Sequence, residues 1–208
     1  MTTKLKITAI KPYPVWVGTR NQMLVKVETD NGIFGWGESG LSGREKAVAG
    51  AIEHYREFLI GRDPMQIGRI WQEVYRSQYF EGGRVLQAAI SAIDIALHDI
   101  KGKALGVPAY ELLGGKQRDR IPCFATASGA TAEEMLASVK LLMAHDWKVI
   151  RTMPLLRTKP ASPDIFEPGN SLGVTAEALV KVREAVGSDL TTLDAELAAN
   201  LWLLVGAG

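Results

Sequence analysis

An arginine and an aspartate in the second half of the sequence have side chains that could take part in binding or catalysis. Arg151 lies in the apolar run WKVIRTM and Asp194 closes the short run LTTLD, so each comes near the end of a predicted strand. A guanidinium positions or polarises a carboxylate through paired N–H donors. Each residue also has a structural interpretation, an ordinary ion pair for Arg151 and a turn or cap for Asp194. Residue type and position leave both interpretations open.

The remaining reactive residue types are scattered along the chain. His54 and His98 lie within predicted helices and His145 ends one, so the histidines do not predict a metal site. Cys123 lies in an apolar strand without a basic neighbour in sequence, which argues against a nucleophilic thiolate. The glycines between residues 35 and 43 lack the strand-to-helix context and the acidic partner of a dinucleotide-binding loop.

Composition limits the class of protein. The chain has 208 residues, of which 47% are hydrophobic and 23% charged, and its formal net charge is +1. These values are typical of a globular protein and show no excess of basic residues that would indicate nucleic-acid binding. The single Cys123 fits a reducing compartment, and no signal peptide or membrane-length apolar stretch is visible. We therefore expect a cytoplasmic protein that binds neither nucleic acid nor membranes.

The first half of the sequence predicts three strands followed by helices. Strand alternation is clearest in QMLVKVET, and Asn31-Gly32 marks a hairpin turn after it. Apolar residues then recur at helical spacing, and Gly106 closes the last predicted helix. The predicted strands cover 4–17, 22–29 and 33–38, and the predicted helices cover 44–60, the residues after Asp63-Pro64, and 84–104. Strands followed by several helices indicate an α+β arrangement.

The predicted order of secondary-structure elements changes after Gly114-Gly115. Strand and helix patterns alternate there, and Thr131 with Glu134 predicts a capping box at the first of these helices. Thr175 is expected to cap the second helix. The predicted strands cover 121–127, 147–153 and 190–194, the predicted helices cover 131–144 and 175–186, and a loop is expected over 154–174. This order indicates parallel β/α units with right-handed crossovers.

Two separated motifs give the chain a family resemblance. The run AAISAIDIALHDIKGKALGVPAYELLGG and the earlier hairpin QMLVKVETDNGIFGWGES resemble the mandelate racemase/muconate-lactonizing branch of the enolase superfamily, and most of all its sugar-acid (galactonate-type) dehydratases. The resemblance implies an α+β capping domain over residues 1–118, built from a three-stranded antiparallel meander plus helices. It implies an incomplete (β/α) barrel over residues 119–208, with the first two to three units.

The resemblance also implies a reaction. Enzymes of this family abstract a proton alpha to a carboxylate, use Mg²⁺ to stabilise the resulting enediolate, and in the dehydratases eliminate the beta hydroxyl of an aldonic or aldaric acid. It makes Asp194 the first metal carboxylate. The family commonly carries Lys-x-Lys where this chain has Arg151-Thr152-Met153. Because the thioether of Met153 cannot take a proton, the usual base is absent, and Arg151 becomes the catalytic candidate.

Two loops of the capping domain are expected to face the substrate. In this family such loops cover the active site, and here they contain glycine and small polar residues that suit mobile substrate-facing loops. The resemblance therefore makes substrate-binding candidates of Arg20, Asn21, Ser42 and Arg44. Ordinary solvated loops are the alternative interpretation of the same residues.

Several functional alternatives stay open at this point. A complete barrel needs about 250 residues, so we expect this chain to lack most of the active site, and a truncation or frameshift after Asp194 would account for that. The first hypothesis is a Mg²⁺-dependent sugar-acid dehydratase whose activity belongs to a longer form. The alternatives are a non-catalytic remnant or interaction fragment, and a racemase or cycloisomerase of the same superfamily. Association into homo-oligomers is a further expectation.

Overall fold

The computed structural model describes residues 5–18, 20–76, 82–153, 169–187 and 191–193. Contacts between residues divide the chain into two compact units, Met1–Asp119 (unit 1) and Arg120–Gly208 (unit 2). No helix in the described ranges is both long and apolar enough to cross a bilayer.

Unit 1 begins with an antiparallel sheet in which the strands follow one another in sequence order. It consists of β1 (Ile7–Trp16), β2 (Asn21–Thr29) and β3 (Phe34–Ser39). The predicted turn between β2 and β3 is confirmed, because Gly32 has a φ of +86° and its N–H donates to the Thr29 carbonyl oxygen over 3.2 Å. Glycine adopts such positive φ values without a steric penalty. One face of β2 is buried, as strict alternation predicts.

Four helices are described in unit 1, and the first and third of them pack against the sheet. They are α1 (Glu45–Leu59), α2 (Ile67–Tyr75), α3 (Arg84–Leu105) and α4 (Ala109–Leu112). Helix α3 packs directly on β3, where an added Cβ at Gly35 or Gly37 would come within 2.0 or 1.8 Å of an α3 carbonyl oxygen. These glycines therefore let the helix backbone approach the strand backbone. The core combines apolar residues of β1 and β2 with those of α1, α2 and α3.

Two predictions for unit 1 need correction. Helix α2 begins at Ile67, not after Asp63, because the Asp63 carboxylate and carbonyl oxygens accept hydrogen bonds from Met65 and Gln66 in a turn that precedes the helix. Leu86, which the helical spacing assigned to the apolar stripe of α3, is 36% exposed. It lies in the first turn of α3, before the helix reaches the part that packs against the sheet.

Unit 2 alternates strands and helices. Its elements are β4 (Ala125–Ala127), α5 (Ala132–Ala144), β5 (Val149–Thr152), α6 (Gly169–Val186) and β6 (Thr191–Leu193). The three strands pair in parallel in the order β4-β5-β6, as the alternating pattern predicts. A small core between the sheet and the two helices contains Met135, Val139, Ile150 and Val182.

The ends of the elements in unit 2 differ from the sequence-based expectation. Strand β4 is shorter than residues 121–127, since the described pairing with β5 starts at Ala125 and Ile121 is 79% exposed. Thr131 caps α5 as predicted, and its Oγ1 accepts the Glu134 N–H over 3.2 Å. Helix α6 already begins at Gly169, so Thr175 lies inside it and is buried instead of capping it. Residues 169–174 contain no proline, so they keep the N–H donors that a helix needs.

Candidate functional site

In unit 1 the two loops with candidate substrate-binding residues are joined by a hydrogen bond. The Ser42 hydroxyl, between β3 and α1, donates to the backbone oxygen of Asn21 over 3.0 Å. Asn21 is the first residue of β2 and pairs with Trp16 across the sheet. Gly18 and Gly43, in the same loops, have φ values of +90° and +77°, which glycine adopts without strain. The structure therefore brings Asn21 and Ser42 together.

The two candidate arginines of these loops are exposed, and their contacts with other described residues are local. The backbone oxygen of Arg20 accepts the Val17 N–H over 3.0 Å, which closes the loop between β1 and β2. Arg44 precedes α1, and its Nη1 donates to the adjacent Gly43 oxygen over 2.7 Å. Exposed guanidinium groups with so few contacts can reorient toward an anionic ligand at low cost. Their geometry is compatible with a binding loop and with an ordinary surface.

In unit 2 the register of the sheet places Arg151 beside Thr126. These residues are directly paired in the parallel β4–β5 ladder. Arg151 Nη2 donates to the Thr126 hydroxyl oxygen over 3.1 Å, which is within the normal range for a hydrogen bond. Ile150 and Thr152, on either side of Arg151 in β5, are buried. Because side chains alternate along a strand, Arg151 and Thr126 lie on the sheet face opposite to that buried pair.

An aromatic ring and an unused donor complete the surroundings of Arg151. Its guanidinium carbon lies 5.0 Å from the centre of the Phe124 ring, within the range of a cation–π interaction. Its Nε is buried and has no hydrogen-bond partner among the described residues. A buried N–H without a partner costs free energy that an incoming oxygen atom would recover. The arrangement is therefore suited to accept an anionic oxygen at Nε.

Sequence reasoning missed Phe124 and Thr126. The run IPCFATA was predicted to be a strand, and of its residues only Cys123 was considered for chemistry. The available signal was the two-residue spacing, since residues 124 and 126 must lie on one face of a strand and residues 125 and 127 on the other. Ala127 is fully buried, whereas Phe124 is 45% exposed, which confirms the alternation.

The remaining predicted residues of unit 2 do not add to the site. Asp194, the expected metal ligand, lies outside the described residues. Met153 is 41% exposed after the end of β5, and its N–H donates to the Ala127 carbonyl oxygen over 3.3 Å. Within the described ranges, no three His, Cys, Asp or Glu residues come together in a way that could hold a metal ion. The described part of the chain therefore does not form a Mg²⁺ site by itself.

A concave region of unit 1 lies between α2 and α3. The cleft has a volume of 340 Å³, and Trp71, Asp94, His98 and Lys101 are among its lining residues. The Asp94 carboxylate lies 3.3 Å from Nδ1 of His98 one turn later. The same nitrogen is 2.9 Å from the Asp94 backbone oxygen. The histidine is thus engaged within its own helix.

Comparisons with known proteins agree across both units. The family model for the N-terminal domain of mandelate racemase and muconate lactonizing enzyme matches residues 2–114. D-galactonate dehydratase of Pectobacterium atrosepticum is 46% identical over 189 residues, covering 89% of this chain and 47% of that protein. The enzyme of the same name from Variovorax paradoxus is 44% identical over 142 residues, covering 67% of this chain and 36% of that protein.

A solved structure gives the same result for the fold. An enolase from Pantoea ananatis, solved with bound D-gluconate and Mg, matches with a TM-score of 0.78 and 32% sequence identity. The match covers 90% of this chain and 52% of that one, so the chain spans about half the length of the relatives it matches. The expected capping fold followed by part of a (β/α) barrel is confirmed. The chain belongs to the mandelate racemase/muconate lactonizing enzyme family of the enolase superfamily.

Proposed function

We propose that this chain serves the dehydration of a sugar acid, in which a proton alpha to the carboxylate is removed and the beta hydroxyl is lost. The observation that carries the proposal is the match to D-galactonate dehydratase, which is 46% identical and covers 89% of the chain, so it includes Arg151 and its strand as well as unit 1. An aldonic acid such as D-galactonate is the proposed substrate.

Arg151 is proposed to bind the carboxylate of that substrate. Removing the alpha proton places a second negative charge on the carboxylate oxygens, so fixed positive charge beside them stabilises the transition state. A guanidinium keeps its charge at all working pH values and can offer two N–H groups to one carboxylate. Nε of Arg151 is buried without a described partner, so a ligand oxygen that reached it would satisfy this donor.

Mg²⁺ is the proposed cofactor of the reaction. When bound, it would supply positive charge that stabilises the enediolate oxygens. Asp194 is kept as the proposed metal carboxylate, because the family resemblance gives that role to the strand-end position it occupies. The relative from Pantoea ananatis was solved with Mg bound. Tight binding of Mg²⁺ by the 208-residue chain is not expected, since the described residues bring no acidic cluster together.

Unit 1 is proposed to act as the capping domain, with a boundary near residue 118, and unit 2 to supply the first barrel strands. The loop residues Arg20, Asn21, Ser42 and Arg44 are then proposed to contact the hydroxyl groups of the sugar acid. The bond between Ser42 and Asn21 supports this proposal, because it holds the two loops side by side within unit 1.

The cytoplasm is the proposed compartment. The free Cys123 is exposed, and an exposed thiol persists best in a reducing environment. Self-association into homo-oligomers is likewise kept as a proposal, to be tested by measuring the mass of the purified chain in solution.

A calorimetric titration tests whether the chain binds a sugar acid. We expect D-galactonate to bind saturably to the purified chain, and galactitol, which has the same carbon skeleton with an alcohol in place of the carboxylate, not to bind. Each titration is run with and without Mg²⁺, which separates binding through Arg151 from binding through the metal. Equal binding of both compounds, or of neither, would refute carboxylate recognition.

Turnover is a separate question, and a specific observation favours a non-catalytic chain as the second candidate. Met153 stands where the family commonly supplies a Lys base, and its thioether cannot take a proton. We expect the 208-residue chain to form no 2-keto-3-deoxy product from D-galactonate in Mg²⁺. A product signal in the proton NMR spectrum would show that another base acts. Exchange of the alpha proton with D₂O, without loss of a hydroxyl, would favour the racemase alternative.

A further inference from the structure

We propose that Thr126 and Phe124 are positioning residues that fix the Arg151 guanidinium so that its Nε–H points to the carboxylate of the ligand. The inference rests on the function proposed above, since it concerns the same arginine. It adds to the site Thr126 of β4 and Phe124, which directly precedes β4. Neither side chain is proposed to contact the ligand.

The first observation is the hydrogen bond from Arg151 Nη2 to the Thr126 hydroxyl, 3.1 Å long. The two residues are paired across adjacent strands, so the backbone itself sets the separation of the side chains. Arginine has several rotatable bonds, and holding one end of the guanidinium removes much of that freedom before a ligand arrives. A hydroxyl at this position serves as the acceptor without adding a charge that would neutralise the arginine.

The second observation is the Phe124 ring, whose centre lies 5.0 Å from the guanidinium carbon. Phe124 and Thr126 are two positions apart in sequence and therefore lie on the same face as Arg151. The hydrogen bond fixes one edge of the guanidinium and the ring restrains its position above the sheet. Together the two contacts define an orientation that neither would define alone.

The third observation is that these contacts leave a buried donor, the Nε–H of Arg151, without a partner in the described part of the chain. Nη2 is engaged by Thr126, whereas the buried Nε has no partner among the residues described. If Arg151 served only to stabilise the sheet, its buried Nε–H would be expected to have a hydrogen-bond partner within the protein. The unpaired Nε–H therefore indicates that the guanidinium is arranged for an additional acceptor, such as a carboxylate oxygen.

The test compares Thr126→Val, which keeps the branched shape but removes the hydroxyl, with Thr126→Ser, which restores the hydroxyl. Thr8→Val makes the same chemical change at an exposed position of β1. In the full chain, the Nε–H signal of Arg151 is identified by its loss in Arg151→Lys, and its hydrogen exchange is measured by ¹H–¹⁵N NMR without ligand. D-galactonate affinity is measured in parallel.

We expect Thr126→Val to speed Nε–H exchange of Arg151 severalfold and to weaken D-galactonate binding about fivefold, the usual effect of one lost hydrogen bond. Thr126→Ser should restore both, and Thr8→Val should change neither. Phe124→Leu should speed exchange in the same way.

Unchanged Arg151 exchange in both Thr126→Val and Phe124→Leu would overturn the proposal. If Thr126→Val speeds the exchange but the wild-type chain does not bind D-galactonate, positioning is supported and the proposed function is contradicted. A general loss of stability would speed the exchange of other arginines as well, so faster exchange throughout the protein would also overturn a specific positioning role.

Discussion

Single polar side chains connect the elements of this protein at defined points. In unit 1 the Asp99 carboxylate of α3 accepts the backbone N–H of Trp36 in β3 over 3.0 Å, and Lys103 donates to the same oxygen over 2.7 Å. In unit 2 Thr126 accepts from Arg151 in a comparable way. The bonds from Trp36 to Asp99 and from Arg151 to Thr126 link residues far apart in sequence, so neither follows from local sequence patterns, whereas Asp99 and Lys103 lie one turn apart on α3.

Asp99→Ala is expected to lower the free energy of unfolding by about 1–2 kcal/mol, because it removes the acceptor of both bonds and leaves the Trp36 N–H at the sheet edge without its carboxylate. Asp99→Asn, which keeps one acceptor oxygen, should cost less. Glu57→Ala, at an exposed position of α1, is the control. Urea unfolding measures all three, and equal stability of Asp99→Ala and the control would contradict this role.

The Glu28 carboxyl gives unit 1 a dependence on pH. Hydrogen bonds from Lys26 and Lys11, 2.9 and 3.0 Å long, lower the pKa of Glu28 below its ordinary value. A carboxyl whose pKa is lower in the folded state stabilises the fold above its unfolded pKa of about 4.3, and this contribution is lost as the pH falls through the folded pKa.

The stability of the wild-type chain should therefore fall on acidification below about pH 5, and Glu28→Gln should reduce the fall, because the amide does not titrate. Urea midpoints measured at a series of pH values give the comparison. Parallel curves for the two proteins would show that the carboxyl of Glu28 does not contribute.

At the scale of elements, close backbone contact decides how the sheet and α3 pack. An added Cβ would lie 2.0 Å from the Ala96 oxygen at Gly35 and 1.8 Å from the Ala92 oxygen at Gly37. No side chain can occupy that space unless the strand and the helix separate. The spacing of the glycines in β3 is thus a packing requirement of the helix behind it.

Gly37→Ala is expected to destabilise the chain by about 1–3 kcal/mol or more, since it forces backbone atoms apart. Gly50→Ala is the matched control in α1, where nothing lies near the added methyl group, and it should stabilise the chain by about 0.5–1 kcal/mol. Thermal unfolding of both variants tests the contrast. Similar effects at the two positions would contradict the packing account.

The sequence predicted those elements whose pattern is local. Helix α1 was expected over 44–60 and spans Glu45–Leu59, and the left-handed closure of α3 at Gly106 is present with a φ of +70°. The predicted start of α6 was wrong, because the sequence pattern of a threonine followed by an apolar helix face is the same inside a helix as at its N-terminus. The partners of Arg151 were not predictable from local pattern because strand register decides them.

At the scale of the whole molecule, each unit has its own core. The buried cluster of unit 1 draws only on residues between Ile7 and Ile100, and that of unit 2 on residues from Ala127 to Val182. A compact segment with its own core can fold as an independent domain.

The polypeptide 1–119 is therefore expected to fold by itself, with the helical circular dichroism of α1 to α3 and a cooperative urea transition. The buried cluster described for unit 1 lies entirely within this polypeptide. The intact chain measured under the same conditions is the reference. A gradual transition, or loss of helical signal in the shorter polypeptide, would show that unit 1 depends on residues after Asp119.

The most direct test of the functional account is the affinity of the full chain for D-galactonate when Arg151 is replaced. Arg151→Met should weaken binding by at least about tenfold, because a charge-assisted hydrogen bond to the carboxylate is lost. Arg183→Met, the same change in α6, should leave binding unaltered. Equal affinity of the Arg151→Met and wild-type chains would contradict the claim that this arginine binds the sugar acid.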